Sequence, residues 1–282
     1  MSGPPPIRAE RLCKRFRKGI LSGAWIEPVS DVSFEVAAGE VLGLVGRNGS
    51  GKTTTIGLVT GLLRPTRGTS LLLGREPSSR EVRRRLGFLP ESGGLEPLAT
   101  PREALRLRAS AQGVRAVAAA ADAALERFGL ADVATREIRR LSQGQARRTA
   151  LAQAFLGEPE ILFLDEPSSG LDPEGSALLV DLVAEARARG ASVVLASHVV
   201  AAGADICDRL IVLHAGRVAA SGTRAELLDE ADVVEARIRG IAAADLAAVV
   251  ARAGGALVEA RPARRGLDAL LSRALSDGSQ GE

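Results

Sequence analysis

The apolar positions of this chain switch repeatedly between a period of two and a period near four, and that alternation predicts an α/β fold. Residues 7–16 and 32–36 alternate apolar with polar, the mark of two antiparallel strands around a Gly/Ser-containing loop at 18–23. Residues 40–45 instead form a continuous apolar run, as in a strand buried on both faces, and 161–164 and 191–196 read the same way. A helix from Lys52, a strand at 69–73, a charged helix at about 79–86 and a short strand at 87–89 lie between them. Thr100-Pro101-Arg102-Glu103 is a capping box with proline at the first helical position, and it opens an Ala-rich helical subdomain over about 98–156. A further helix over 173–189 is capped by Asp172. Short apolar strands alternating with helices imply a mostly parallel sheet covered on both faces, with the early antiparallel strands as a β subdomain.

After residue 232 the texture changes. Segments 233–239, 243–253, 256–261 and 266–274 suggest strand, helix, strand, helix, followed by a polar, fraying tail. The chain therefore reads as a main domain over 1–232 and a small α+β appendage over 233–282, which holds no His or Cys.

Composition narrows the partners. Net charge is only +3, with dispersed arginines balanced by 34 acids, which does not call for nucleic acid. With no Tyr, one Trp and six Phe, little is left for a base-stacking platform. The clusters Arg83-Arg84-Arg85 and Arg147-Arg148 read as solvated helix faces. Cys13 and Cys207 form no CxxC pair and read as reduced thiols. With no basic-then-apolar leader and no apolar run near the ~18 residues that span a bilayer, the expectation is a soluble, cytoplasmic chain.

The strand at 40–45 runs straight into Gly46-Arg47-Asn48-Gly49-Ser50-Gly51-Lys52-Thr53-Thr54, and the helix follows at once. The spacing GxxxxGK[ST] in a strand–loop–helix context is a P-loop: backbone N–H groups wrap phosphates, Lys52 reaches them, and Thr53 can offer its hydroxyl to Mg²⁺. Of 37 basic residues only Lys14, Lys18 and Lys52 are lysine. A compact ammonium fits between nucleotide phosphates where a planar guanidinium would clash. At 161–166 an apolar strand delivers Asp165 and Glu166 to the sheet edge where parallel strands bind ligands. Asp165 suits Mg²⁺, and Glu166, facing outward, suits polarising an attacking water. Leu141-Ser142-Gln143-Gly144-Gln145 precedes another helix and offers a second anion site at its N-terminus; read alone, Ser142 is equally an ordinary N-cap.

In this order GRNGSGKTT, LSQGQ, LFLDEP, SGLD and a histidine after a strand resemble the nucleotide-binding subunit of an ATP-binding cassette (ABC) transporter, over roughly residues 7–230. The resemblance implies an ATPase of the P-loop type that uses ATP and Mg²⁺ and dimerises head to tail, the LSQGQ segment of one copy capping ATP held by the other. It places Lys52 on the β/γ-phosphates, Thr53 and Asp165 on Mg²⁺, Phe16 on adenine with Trp25 as a rival, and His198 on the γ-phosphate. Residues 169–172, ending in Asp172, would cross the dimer interface. Two positions depart from the usual pattern. Glu91 stands where the family commonly has glutamine, and can still ligate Mg²⁺ or a water; with Ser92-Gly93-Gly94-Leu95 it is similar to exporter-type members. Gln143 stands where glycine is commoner, between Ser142 and Gly144. The resemblance implies an exporter ATPase bound to an integral membrane permease, touching the membrane only through it at the cytoplasmic face. The alternative is a soluble cassette ATPase moving a protein scaffold, as in iron–sulfur cluster assembly.

Overall fold

The alternation at the N-terminus builds a small antiparallel sheet. In the computed structural model, which describes residues 3–17, 25–197, 206–228 and 251, strand β1 (Ile7–Arg17) lies between β2 (Trp25–Val36) and β4 (Arg67–Leu72). β2 is longer than the alternation predicts, because its first half pairs with β1 through Lys14↔Val29 and Phe16↔Ile26 across register shifts that disturb the period of two. The described residues, Ala251 apart, belong to one unit, Met1–Asp229. The expected loop at 18–23 and the expected elements of 233–282 lie outside the described residues.

The second sheet has the order β5-β6-β7-β3-β8-β9, using β3 (Val41–Val45), β5 (Leu86–Leu89), β6 (Ile161–Asp165), β7 (Ser192–Ser197), β8 (Arg209–His214) and β9 (Arg217–Thr223). Every neighbouring pair is parallel except β8 with β9. The continuous apolar runs are explained by two covered faces, since successive side chains point opposite ways. Val41, Val45, Leu162 and Leu164 enter one core with Leu105, Leu125 and Leu151 from the helical region. Leu42, Leu44, Ile161 and Phe163 enter the other with Leu12, Val32 and Phe34 of the small sheet.

Helix α1 (Lys52–Val59) follows β3 and α2 (Arg80–Arg85) precedes β5. The helical region holds α3 (Pro101–Gln112), α4 (Val117–Arg127) and α5 (Gln143–Phe155). The capping box at Thr100 forms as its sequence dictates: Thr100 Oγ1 accepts from Glu103 N at 3.2 Å and Glu103 Oε2 accepts from Thr100 N at 2.8 Å. α6 (Pro173–Ala188) packs on β7, and α7 (Arg224–Leu228) follows β9. Among the described residues, no helix is long and apolar enough to cross a membrane. The C-terminal ends of β3, β5 and β6 thus open on one edge, beside the start of α1.

Candidate functional site

The turn from β3 into α1 is built by glycines that leave no room for a side chain. A Cβ on Gly46 would sit 2.5 Å from the Leu213 carbonyl, and one on Gly51, at φ +106°, would sit 2.4 Å from the Pro28 carbonyl. Gly51 is also the N-cap of α1, and no side chain caps that helix. Its first N–H groups are therefore left for a ligand, and the helix dipole favours an anion there. Gly49, at φ +80°, would meet nothing within 4 Å, so the loop backbone faces open space.

That space is a cavity of about 330 Å³ lined by Asn48, Gly49, Gly51, Lys52, Thr53 and Thr54 from the loop, with Pro28, Glu91 and Glu166. Lys52 donates to the Gly46 carbonyl at 2.7 Å and its Nζ lies 3.5 Å from Glu166 Oε1. Both side chains are under a tenth exposed, at 6 % and 9 %. Glu166 does not face outward, as strand alternation suggested. β6 ends at Asp165, Glu166 enters the left-handed region at φ +47°, and its N–H donates to the Ala196 carbonyl at 2.9 Å. The turn aims the carboxylate back at Lys52.

Asp165 is buried beside it. Burial pushes its carboxyl above the usual range, opposed by a hydrogen bond from Thr53 and reinforced by the negative charges of Glu91 and Glu166. Its Oδ1 has no hydrogen-bond partner among the described residues. Arg47 is exposed at the rim and Ser50 is buried under the loop.

The other sequence candidates lie elsewhere. Ser142 is the N-cap of α5 and forms a reciprocal box with Gln145: Ser142 Oγ accepts from Gln145 N at 3.2 Å, and Gln145 Oε1 accepts from Ser142 N at 3.1 Å. Neither they nor Gln143, Gly144 or Asp172 line the cavity. Gln143 and Gly144 instead pack at Gly170, in the segment expected to cross an interface. Asp172 caps α6 by accepting from Gly175 N at 2.8 Å, and Arg148 donates to its two oxygens at 2.9 and 2.7 Å. The Arg148 guanidinium holds this exposed carboxyl below the usual range. Phe16 is half-buried in β1 with Lys14 Nζ 5.0 Å from its ring centre, outside the cavity lining, while Trp25 is 65 % exposed. His198 follows β7 directly and lies outside the described residues.

One residue of the site escaped the sequence. Arg147, expected on a solvated face, is 7 % exposed and reaches the backbone beneath Glu91, Asp165 and Glu166. The available signal was the company it keeps: from Thr149 onward α5 is apolar on nearly every side, so its first turns cover protein rather than water.

The family model described as ABC transporter matches residues 29–169. The Nod factor export ATP-binding protein I of Burkholderia lata is 38 % identical over 237 residues, covering 82 % of this chain and 76 % of that protein. A daunorubicin resistance ATP-binding protein of Streptomyces coeruleorubidus is 39 % identical over 203 residues, covering 71 % of this chain and 64 % of that one. The solved structure of an ATP-binding subunit of an ABC transporter superposes with a TM-score of 0.69 at 32 % identity, covering 78 % of this chain and 90 % of its own.

Proposed function

This chain belongs to the ABC transporter family, and from that premise we propose that it is the ATP-hydrolysing subunit of an exporter. ATP binds with its phosphates in the loop of Gly46–Thr54, Lys52 on the β/γ-phosphates and the N-terminal N–H groups of α1 on the remaining oxygens. Glu166 is the general base for the attacking water, and His198 contacts the γ-phosphate. The export direction is supported by relatives whose names are Nod factor export and daunorubicin resistance, and by Glu91 with its Ser92-Gly93-Gly94-Leu95 continuation. A separate integral membrane permease supplies the path and holds the chain at the cytoplasmic face.

The residues present fit Mg²⁺. The donors are hard oxygens, Asp165 Oδ1 is buried with no hydrogen-bond partner among the described residues, and Glu91 and Glu166 line the cavity near enough for their charges to act on Asp165. Among the described residues no cluster of three or more His, Cys, Asp or Glu could cage a metal. Thr53 and Asp165 would hold Mg²⁺, with Glu91 reaching it directly or through water. Bound there, it neutralises charge that develops on the transferring phosphoryl group.

The observation that supports the reading is the separation in one chain of two helix ends suited to an anion, one at α1 and one at α5. The start of α1 opens on the cavity, whereas Ser142, at the start of α5, is exposed and outside the cavity lining. A head-to-tail dimer gives the second end its ligand: the nucleotide in the cavity of the other copy. Ser142→Arg tests this. The substitution should stop hydrolysis, since a guanidinium at the cap would block closure, while Mg-ATP binding to the single subunit stays intact in equilibrium titration. Wild-type turnover in this variant would reduce Ser142 to a helix cap and remove the dimer from the mechanism.

A further inference from the structure

A guanidinium has five N–H donors, and Arg147 places each of them on a backbone carbonyl. Nη1 donates to Pro90 at 3.2 Å and Glu91 at 3.0 Å. Nη2 donates to Asp165 at 3.0 Å and Glu166 at 2.5 Å, and Nε to Pro167 at 3.4 Å. Taking this cation out of water is unfavourable, and burial lowers its affinity for its proton while Asp165, Glu166 and Glu91 nearby oppose that shift. A residue kept there against that penalty, where an apolar side chain would fill the space, needs a reason.

The carbonyls it grips supply one. Glu166 sits in the left-handed region without being glycine, a conformation that persists only when its surroundings over-determine it. Its N–H is held by Ala196 of β7, and its carbonyl accepts from Ser169 N within the turn and from Arg147. Arg147 ties this turn to α5. The same side chain holds the peptide of Glu91, so both acids lining the cavity hang from one anchor. Ser142 caps the same helix five residues earlier, about 7.5 Å along its axis.

We propose that Arg147 is a positioning residue for hydrolysis: it holds the Glu166 turn and the Glu91 loop against α5, so that the placement of the base depends on how α5 is seated. This rests on the reading of Glu166 as the base. Because Ser142 and Arg147 share one rigid helix, the capping of one copy's nucleotide by Ser142 and the alignment of Glu166 in the other site are mechanically joined. Lysine substitutes only in part, since three donors at one point do not span five carbonyls on two segments.

The test compares wild type, Arg147→Gln and Arg147→Lys as full chains, measuring kcat and KM for ATP, equilibrium binding of a fluorescent ATP analogue, and thermal melting. Arg147→Gln should lose about 100-fold in kcat, the scale of a misplaced catalytic group, with nucleotide affinity little changed. Arg147→Lys should recover only part of that loss. A kcat that stays at the wild-type value, or that falls only in step with nucleotide affinity and melting temperature, overturns the proposal. Should Arg147→Gln fail to fold, Arg147→Lys decides: wild-type kcat there has the same meaning. A wild-type chain that hydrolyses no ATP sinks the functional reading itself, whereas an active wild type with unaltered variants sinks only the role of Arg147.

Discussion

Glu166→Gln is expected to stop turnover by at least about 100-fold while leaving Mg-ATP bound and the dimer closed, the lower bound for losing a general base. The substitution keeps the shape of the side chain and removes its charge. With no basic oxygen, the water in line with the γ-phosphate is held but not activated. Binding survives for a separate reason. The Lys52 ammonium lies 3.5 Å from Glu166 Oε1, both groups being buried, so the phosphates must compete with that carboxylate for the same cation. Glutamine removes the competitor, and nucleotide affinity should hold or rise. The measurement is paired: phosphate release for turnover, and size-exclusion chromatography with Mg-ATP for association. A variant that remains monomeric with Mg-ATP would count against the head-to-tail arrangement, and one that keeps hydrolysing would remove Glu166 from the role of base. Captured gently from cells, the trapped form also reports its partner: a polytopic membrane protein is expected in stoichiometric amount, and soluble partners alone would overturn export.

The contrast between Lys52 and Arg147 shows which parts of the site are legible in the chain. The phosphate loop is local: its glycines, lysine and threonine act within one turn, so their spacing alone carries the geometry. The strands were legible for a similar reason, because a run such as 41–45, apolar at every position and too short for a helix, suits a sheet covered on both sides. Glu166 was legible as chemistry but not as orientation. Alternation along β6 points it away from Asp165, yet the strand has ended, and the φ +47° turn depends on a carbonyl of β7 and a guanidinium of α5. Arg147 and Arg148 are indistinguishable as text. A rotation of about 100° per residue sends one to five carbonyls at the sheet edge and the other to Asp172 and Glu174 on α6. Contacts between segments 18 to 57 residues apart set that difference, and no window of sequence contains them.

Lys52→Ala should have two effects that separate binding from folding. Nucleotide affinity should fall by about 100-fold or more, because one or two charge-assisted bonds to phosphate, each worth about 1.5–3 kcal/mol, disappear from a buried site. The nucleotide-free protein should also be less stable, by about 3 kcal/mol, since removing one member of a buried ion pair leaves the other in a low-dielectric site without its counter-charge. Adding Glu166→Gln to Lys52→Ala should restore much of that stability and none of the affinity, a result that thermal melting and ATP titration read independently. Lys52→Arg then asks whether charge or shape matters. The ammonium donates to the Gly46 carbonyl at 2.7 Å, a path that keeps it close against the loop. A planar guanidinium is too broad for that path. Affinity in Lys52→Arg should therefore be closer to the alanine variant than to wild type. Near-normal ATP binding by Lys52→Arg would show that any cation serves, and the retention of lysine in a chain that otherwise uses arginine would need another cause. Near-normal binding by Lys52→Ala would count against the loop as the phosphate site.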